Sequence, residues 1–154
     1  MSGPRRSRAF TLLELLVVLA VLVTLLALAL PALANWRARS ELRLAQHELA
    51  LGLTRTRSET RRLSQHRVVR WTNGGNLVEV TRLDGAVLRE IRLPGRVTLR
   101  ATFGAGGVPA TSFSYLAPFG RKDINNFEFV LRGPGGEARV RVVGVTGKVV
   151  RVAF

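Results

Sequence analysis

The sequence predicts an α+β protein in which a long N-terminal helix packs on an antiparallel β-sheet domain. Two observations indicate the helix: an apolar run without charges over residues 15–36, and a helical stripe of apolar residues beyond it, in residues 37–67. A third observation indicates the sheet, because apolar and polar residues alternate with a period of two from residue 68 onward. We expect the first half of the helix to span a membrane and the amphipathic second half to pack on the β domain.

The apolar run is long enough to cross a membrane as a helix. It holds 22 residues without a charge, and a helix of about 20 apolar residues crosses the hydrocarbon core of a bilayer. Three basic residues precede the run: Arg5, Arg6 and Arg8. The positive-inside rule predicts that these arginines stay in the cytoplasm and that the chain from Arg37 onward lies outside the inner membrane.

Two simpler interpretations of the same run stay open. A secretory signal peptide also has a basic start, and the sequence PALAN offers a small-x-small cleavage site that ends at Ala34. Signal-peptide cores are usually about 7–15 apolar residues long, however, which is shorter than this run. A plain membrane anchor is the second alternative. Neither alternative explains why a carboxylate lies in the apolar stretch.

That carboxylate belongs to Glu14, four residues after Phe10. A charge inside hydrocarbon costs roughly 3 kcal/mol or more, so it usually has a partner and a function. If the chain were cut before Phe10, the new α-amino group would lie at about the depth of Glu14. The amine could then pair with the carboxylate of its own chain or with that of a neighbour in a bundle of identical helices. Pairing between neighbours would fix the axial offset between subunits, which is an assembly mechanism.

The stretch RAFTLLELLVVLAVLVTLLALALPAL resembles the signal of type IV pilins and type II secretion pseudopilins. The resemblance implies that a prepilin peptidase cuts between Ala9 and Phe10 and that Phe10 is N-methylated. It also implies that Glu14 is the acid used in assembly with other pilins or pseudopilins, and that the helix is kinked at Pro31. Ala9 departs from the family pattern, which has Gly before the cut, so slower processing is expected.

With this resemblance the chain divides into four segments. Residues 1–9 form a basic prepilin leader, and residues 10–36 form a transmembrane assembly helix. Residues 37–67 continue that helix in amphipathic form, and residues 68–154 form the globular β domain of a pilin-like fold. Because Pro31 removes a helical hydrogen bond, a kink or local melting is expected just before it.

The amphipathic stripe and the strands can be assigned from their periods. Six residues at helical spacing form the stripe: Leu42, Ala45, Leu49, Leu53, Thr56 and Leu63.

Eight segments alternate with a period of two: RVVRW, NLVEVTRL, AVLREIRL, RVTLRATF, TSFSYL, FEFVLRG, EARVRVVG and KVVRVAF. The residues between TSFSYL and FEFVLRG are predicted to form a loop, and so are residues 104–110. Four charged strand residues are expected to face solvent: Glu79, Arg89, Arg139 and Arg141. Gly52 is assigned no function.

The C-terminal half resembles the globular domain of the pseudopilin H and FimT family. The resemblance lies in Phe-Gly-Arg at residues 119–121 and in the stretch ARVRVVGVTGKVVRV. Some FimT-like proteins contact DNA through a Gly-Arg-x-Arg element, for which this chain has Gly-Lys-Val-Val-Arg. Lys148 stands in place of the first Arg of that element, and Val150 stands in place of the second. Arg151 comes one place late, so it is expected on the opposite strand face from Val150. The candidate DNA contacts are Lys148, Arg151, Arg139 and Arg141.

Composition limits the function classes. The net charge is +14, and without the three leader arginines 21 basic residues remain against 10 acidic ones, a charge of +11. Such a charge favours polyanionic neighbours such as DNA or anionic lipid. The chain has no cysteine, and its two histidines, His47 and His66, are expected on the surface of the helix with no metal-binding partners. No catalytic motif is present, so we expect neither an enzyme nor a cofactor.

Two functions therefore remain, which share the assembly step. In the first, the protein is a minor pseudopilin of a type II secretion pseudopilus, with its helix in the inner membrane and its β domain on the periplasmic side. In the second, it is a FimT-like minor pilin of a type IV pilus that binds DNA during natural transformation. The basic charge favours the second function, but the sequence shows no stripe of interleaved basic and aromatic residues.

Overall fold

The computed structural model describes residues 12–103, 107–123 and 126–152, which form one α-helix and ten β-strands. The helix α1 spans Leu12–Leu63. The strands in chain order are β1 (Arg67–Trp71), β2 (Leu77–Thr81), β3 (Val87–Arg92), β4 (Thr98–Phe103), β5 (Val108–Pro109), β6 (Ser112–Leu116), β7 (Arg121–Lys122), β8 (Phe127–Gly133), β9 (Gly136–Val143) and β10 (Lys148–Val152). The chain divides into two compact units, Met1–Asn35 and Trp36–Phe154.

The described part of the first unit is an apolar helical segment. Its residues are mainly Leu, Val and Ala, and every one of residues 12–35 is exposed. The hydroxyl of Thr24 donates a hydrogen bond to the carbonyl oxygen of Ala20 at 2.8 Å, so this polar group is satisfied within the helix. The helix continues without interruption through Pro31, and the kink there stays a prediction.

The second unit contains two antiparallel sheets of five strands each. Sheet A has the strand order β3-β2-β1-β6-β7, and sheet B has the order β10-β9-β8-β4-β5. Every strand pairing in them is antiparallel. The predicted fold class is therefore confirmed, with the strands divided between two sheets. The eight predicted strands are all present, and the two-residue strands β5 and β7 form in segments that were predicted as loops.

The amphipathic stripe of α1 is buried as predicted, except at its end. Leu42, Ala45, Leu49, Leu53 and Thr56 are fully buried, whereas Leu63 is 46% exposed. The helix ends short of the predicted boundary at residue 67. It ends at Leu63 because the next residue, Ser64, has a positive φ of 49°, a left-handed conformation that no helix continues through. Arg67 already belongs to β1.

An aromatic cluster joins the two sheets in the core. Trp71, Phe113 and Tyr115 come from sheet A, and Phe127 and Phe129 come from sheet B. Their ring centroids are 4.9–6.4 Å apart, mostly in edge-to-face or tilted arrangements, which are the preferred geometries for aromatic pairs. The indole N–H of Trp71 donates to the carbonyl oxygen of Ala110 at 3.0 Å, so its polar atom is also satisfied.

Two glycines permit close approach between the amphipathic part of α1 and the β strands. A Cβ atom on Gly52 would overlap the side chain of Ile91 in β3. A Cβ on Gly135, in the turn between β8 and β9, would lie 2.5 Å from the carbonyl oxygen of Ala38 and 2.6 Å from its carbonyl carbon. Gly52, to which the sequence assigned no function, is therefore a packing position. Gly135 is the less tolerant of the two, because a Cβ there would meet backbone, which cannot change rotamer as a side chain can.

Polar contacts also connect this helix segment to the sheets. The buried side-chain amide of Gln46 donates to the carbonyl oxygens of Arg139 and Val152, at 2.8 and 2.9 Å. The guanidinium of Arg89 forms an ion pair with Glu59 of α1. The expectation that Arg89 simply faces solvent is wrong, because β3 directs its side chain toward the helix, where it is half-buried. Glu79 is also half-buried.

Candidate functional site

The N-terminal part of α1 is the first candidate site, because the helix is apolar and long enough there to cross a membrane. Glu14 lies in the first described turn, and the residues on either side of it, Leu13 and Leu15, are exposed by 71% and 65%. This surface suits lipid or neighbouring helices of similar character. Ala9 and Phe10 lie outside the described residues, so cleavage between them and methylation of Phe10 stay predictions.

The four candidate DNA contacts lie in β9 and β10, on two different faces of sheet B. Residues that are directly opposite each other in neighbouring strands lie on the same face of the sheet, and so do residues two apart in one strand. Because Val150 is opposite Arg141 in the register, Lys148, Arg139 and Arg141 all lie on the outer face. Arg151 is opposite the buried Val140 and therefore lies on the inner face. Its guanidinium is 3.4 Å from the ring Nδ1 of His47 on α1. As predicted, Arg151 lies on the opposite face from Val150.

Acidic residues partly neutralise the outer face of sheet B. Arg141 donates to the carboxylate of Glu128 at 2.9 Å, and Arg139 lies 3.7 Å from the same carboxylate. Glu137 forms a 2.6 Å ion pair with Arg132. Exposed ion pairs of this kind contribute about 0–1 kcal/mol each and exchange readily with other anions. The outer face therefore stays basic, but it is not a continuous track of unpaired cations.

Neither histidine is placed to bind a metal. His47 is exposed on α1. His66 follows the helix instead of lying on it as predicted, and its Nδ1 accepts a hydrogen bond from the backbone N–H of Ala117 at 3.1 Å. Across residues 12–103, 107–123 and 126–152, no group of three or more His, Asp or Glu side chains could hold a metal ion.

A buried lysine that the sequence did not single out joins the two sheets. Lys122 in β7 is only 4% exposed, and its ammonium group donates to the carbonyl oxygen of Val142 in β9 at 2.8 Å. Burial lowers the pKa of Lys122 to about 8, and the nearby carboxylate of Asp123 opposes that shift. The neighbouring Tyr115 is also buried, and burial raises the pKa of its hydroxyl.

Raising the pH from about 7 to about 9.5 is expected to stabilise the wild-type protein relative to Lys122→Met, by on the order of 1–2 kcal/mol. In the unfolded chain the lysine keeps its proton until about pH 10.4, whereas folded Lys122 releases it near pH 8. Between these values the unfolded state binds more protons, so the free energy of unfolding rises with pH. Urea unfolding of the full chain in detergent, followed by near-ultraviolet circular dichroism, measures the difference.

Lys148 supplies the control because it is the chain's other lysine and is exposed. Lys148→Met should not reproduce the rise with pH expected for Lys122→Met, because its side chain is exposed and not enclosed between the two sheets. The range stops below about pH 10, where ionisation of Tyr115 in the unfolded chain acts in the opposite direction. A constant difference for Lys122→Met would contradict the prediction.

Comparison with known proteins supports the interpretation of the N-terminus. Residues 4–30 match the family model described as the prokaryotic N-terminal methylation motif. This range contains the basic residues, Phe10, Glu14 and most of the apolar run. Comparison of the sequence with curated proteins gave no significant match.

Solved structures share the fold at low sequence identity. The type IV minor pilin FimU of Pseudomonas aeruginosa superposes with a TM-score of 0.60 at 16% identity, covering 75% of this chain and 90% of FimU. The minor pseudopilin EpsH of the Vibrio cholerae type II secretion system gives a TM-score of 0.57 at 16% identity, covering 73% of this chain and 97% of EpsH. A second structure of EpsH gives 0.58, also at 16% identity, with 75% and 95% covered.

Together these findings show a match to the prokaryotic N-terminal methylation motif at the N-terminus and a pilin-like fold in the rest of the chain. The resemblance predicted from the sequence is thereby confirmed. One similar structure comes from a pilus and the other from a secretion system, so this fold is common to both kinds of assembly.

Proposed function

We propose that the protein is a minor pseudopilin of a type II secretion pseudopilus, with a structural and non-catalytic role in protein secretion. The observation that supports this proposal is the combination of the methylation motif with an exposed apolar helix on a pilin-like fold. The helix is a single membrane span in the inner membrane. The leader arginines hold the N-terminus in the cytoplasm, which places the β domain on the periplasmic side.

Maturation and assembly follow from the N-terminal residues. Prepilin peptidase cuts between Ala9 and Phe10, and the new terminal amine of Phe10 is methylated. In the assembled filament this amine pairs with Glu14 of an adjacent subunit, which offsets the cost of holding the carboxylate among apolar helices. The pairing fixes one axial offset between subunits, while the exposed Leu and Val side chains supply the packing surface between helices.

A second candidate function is supported by the charge of the protein. Lys148, Arg139 and Arg141 share the outer face of sheet B, and the chain without its leader would carry a net charge of +11. A FimT-like minor pilin that binds DNA in a type IV pilus would use such a face for phosphate contacts. That function requires binding of duplex DNA by the full chain whose affinity falls steeply as salt is raised. Binding that is absent even at low salt would exclude it.

Mass spectrometry of the N-terminus of the membrane-bound protein tests the proposed maturation. The expected mature chain begins with N-methylated Phe10, because this is the residue before which prepilin peptidase is proposed to cut. A chain that begins at Asn35 would show that the apolar run is an ordinary signal peptide. A chain that keeps its arginine leader while functioning normally would remove the amine on which the assembly mechanism depends.

A further inference from the structure

A shallow pocket lies at the C-terminal end of α1, and we call it the α1-end pocket. It has a volume of about 420 Å³ and is lined by Ser58, Arg61, Arg62, Pro118 and Phe119. We propose that the α1-end pocket binds an acidic segment of another polypeptide, with carboxylates held by the arginines and an apolar or aromatic side chain placed against Phe119. This inference goes beyond the proposed function, which assigns no role to this pocket.

The pocket forms because the segment before β7 lies close against the last turns of α1. Gly120 is buried there with a positive φ of 64°. A Cβ atom at this position would lie 2.9 Å from Cγ of Arg61 and 3.1 Å from the carbonyl oxygen of Arg57. Glycine therefore allows the loop to approach the helix, and this approach brings Phe119 next to arginines that are about 60 residues away in the chain.

The cations of the pocket are available for a ligand. Arg61 and Arg62 are exposed, and within the described part of the chain neither guanidinium group forms a hydrogen bond or an ion pair. The guanidinium of Arg121 lies 5.7 Å from the ring centroid of Phe119. Basic residues in the last turn of a helix also complement its dipole, and this effect alone could account for Arg61 and Arg62. It does not account for Phe119, a ring that is 66% exposed beside them.

The chemistry of the pocket favours a carboxylate-rich protein segment. The planar guanidinium group donates two parallel hydrogen bonds to a carboxylate, which is why arginine recurs where acidic groups are recognised. A single nucleic acid strand that is held by stacking would need several rings for its successive bases. Phe119 is the single aromatic ring of this pocket, and Trp36 is the other exposed aromatic residue of the described chain.

A second copy of this chain is a poor source of the acidic segment. The chain has 10 acidic residues. Among the described residues of the second unit, six accept hydrogen bonds or form ion pairs: Glu59, Asp84, Glu90, Asp123, Glu128 and Glu137. Its net charge also opposes self-association at a basic site. The partner is therefore a different and acidic polypeptide.

Fluorescence anisotropy with the full chain in a neutral detergent tests the proposal. The probe is a peptide of sequence Asp-Glu-Phe-Glu-Asp that carries an uncharged dye. Saturable binding is expected, and the double variant Arg61→Gln/Arg62→Gln should weaken it by about tenfold. Phe119→Ser should weaken it by about fivefold, and a peptide with Ser in place of its Phe should bind the wild-type protein equally weakly.

The control is the double variant Arg70→Gln/Arg96→Gln, which removes the same charge from two other exposed arginines. Its affinity for the peptide should stay within about twofold of wild type, since exposed charges at a distance are screened by salt. Equal weakening by both double variants would overturn the proposal in favour of diffuse attraction. A short single-stranded oligonucleotide that displaces the peptide and loses affinity in the Phe119→Ser variant would overturn it in favour of nucleic acid. Absence of saturable peptide binding would also overturn it.

Discussion

The Glu14→Ala protein is expected to reach the membrane in normal amounts and to be absent from the sheared filament fraction. Insertion depends on the length and the apolarity of the helix. The substitution leaves the length unchanged and makes the helix slightly more apolar. In the proposed assembly, incorporation depends on the pairing of the Glu14 carboxylate with the amine of the adjacent subunit, and the alanine variant would bury that amine without a counter-charge. Immunoblots of membranes and of sheared filaments, prepared from the same cells, measure both steps.

Two variants separate charge from shape. Glu14→Gln keeps the size of the side chain and removes its charge, so it should also be absent from filaments. Thr24→Ala removes a different polar side chain from the same apolar segment, one that bonds only within its own helix, and it should be incorporated normally. Wild-type amounts of the Glu14→Gln protein in filaments would show that the carboxylate charge is not needed for assembly.

Much of the fold follows from the periods in the sequence. The spacing of Leu42, Leu49 and Leu53 predicted the buried side of α1, because residues three or four apart share one helix face. The alternation of period two predicted all eight longer strands. It could not predict two sheets, since alternation shows which face of a strand is buried and not which strands pair. The short strands β5 and β7 carry too few residues to show any period.

The candidate functional surfaces were only partly predictable, because a sequence pattern shows local features but not which distant residues meet. The N-terminal motif is local, so Phe10, Glu14 and the apolar run can be recognised from spacing alone. The α1-end pocket depends on contacts between residues far apart in the chain. The sequence singles out Phe119 only as part of a family pattern, and it does not single out Arg61. The buried position of Lys122 depends in the same way on the meeting of β7 with β9. The separation of Arg151 from Lys148 was predictable, because it needs only the two-residue alternation of a strand.

The largest loss of stability from a single methyl group is expected for Gly135→Ala, which should lower the free energy of unfolding by about 3 kcal/mol or more. The added Cβ would lie 2.5 Å from the carbonyl oxygen of Ala38, well inside van der Waals contact. That atom belongs to the backbone of α1, so no rotamer change can relieve the overlap. Urea unfolding of the full chain in detergent, followed by near-ultraviolet circular dichroism, measures the loss.

Gly52→Ala provides the matched comparison, because its added methyl group meets the end of a side chain instead of backbone. The overlap there is with Ile91, and its closest atom is the terminal Cδ1. Ile91→Val removes that atom but keeps a carbon at the position of Cγ1, 2.9 Å from the added Cβ. It should therefore restore part of the stability lost in Gly52→Ala, helped by the better helix propensity of alanine. No side-chain truncation at Ala38 can restore Gly135→Ala in the same way. An unfolding free energy of Gly135→Ala equal to that of wild type would mean that the turn between β8 and β9 does not rest on the helix backbone.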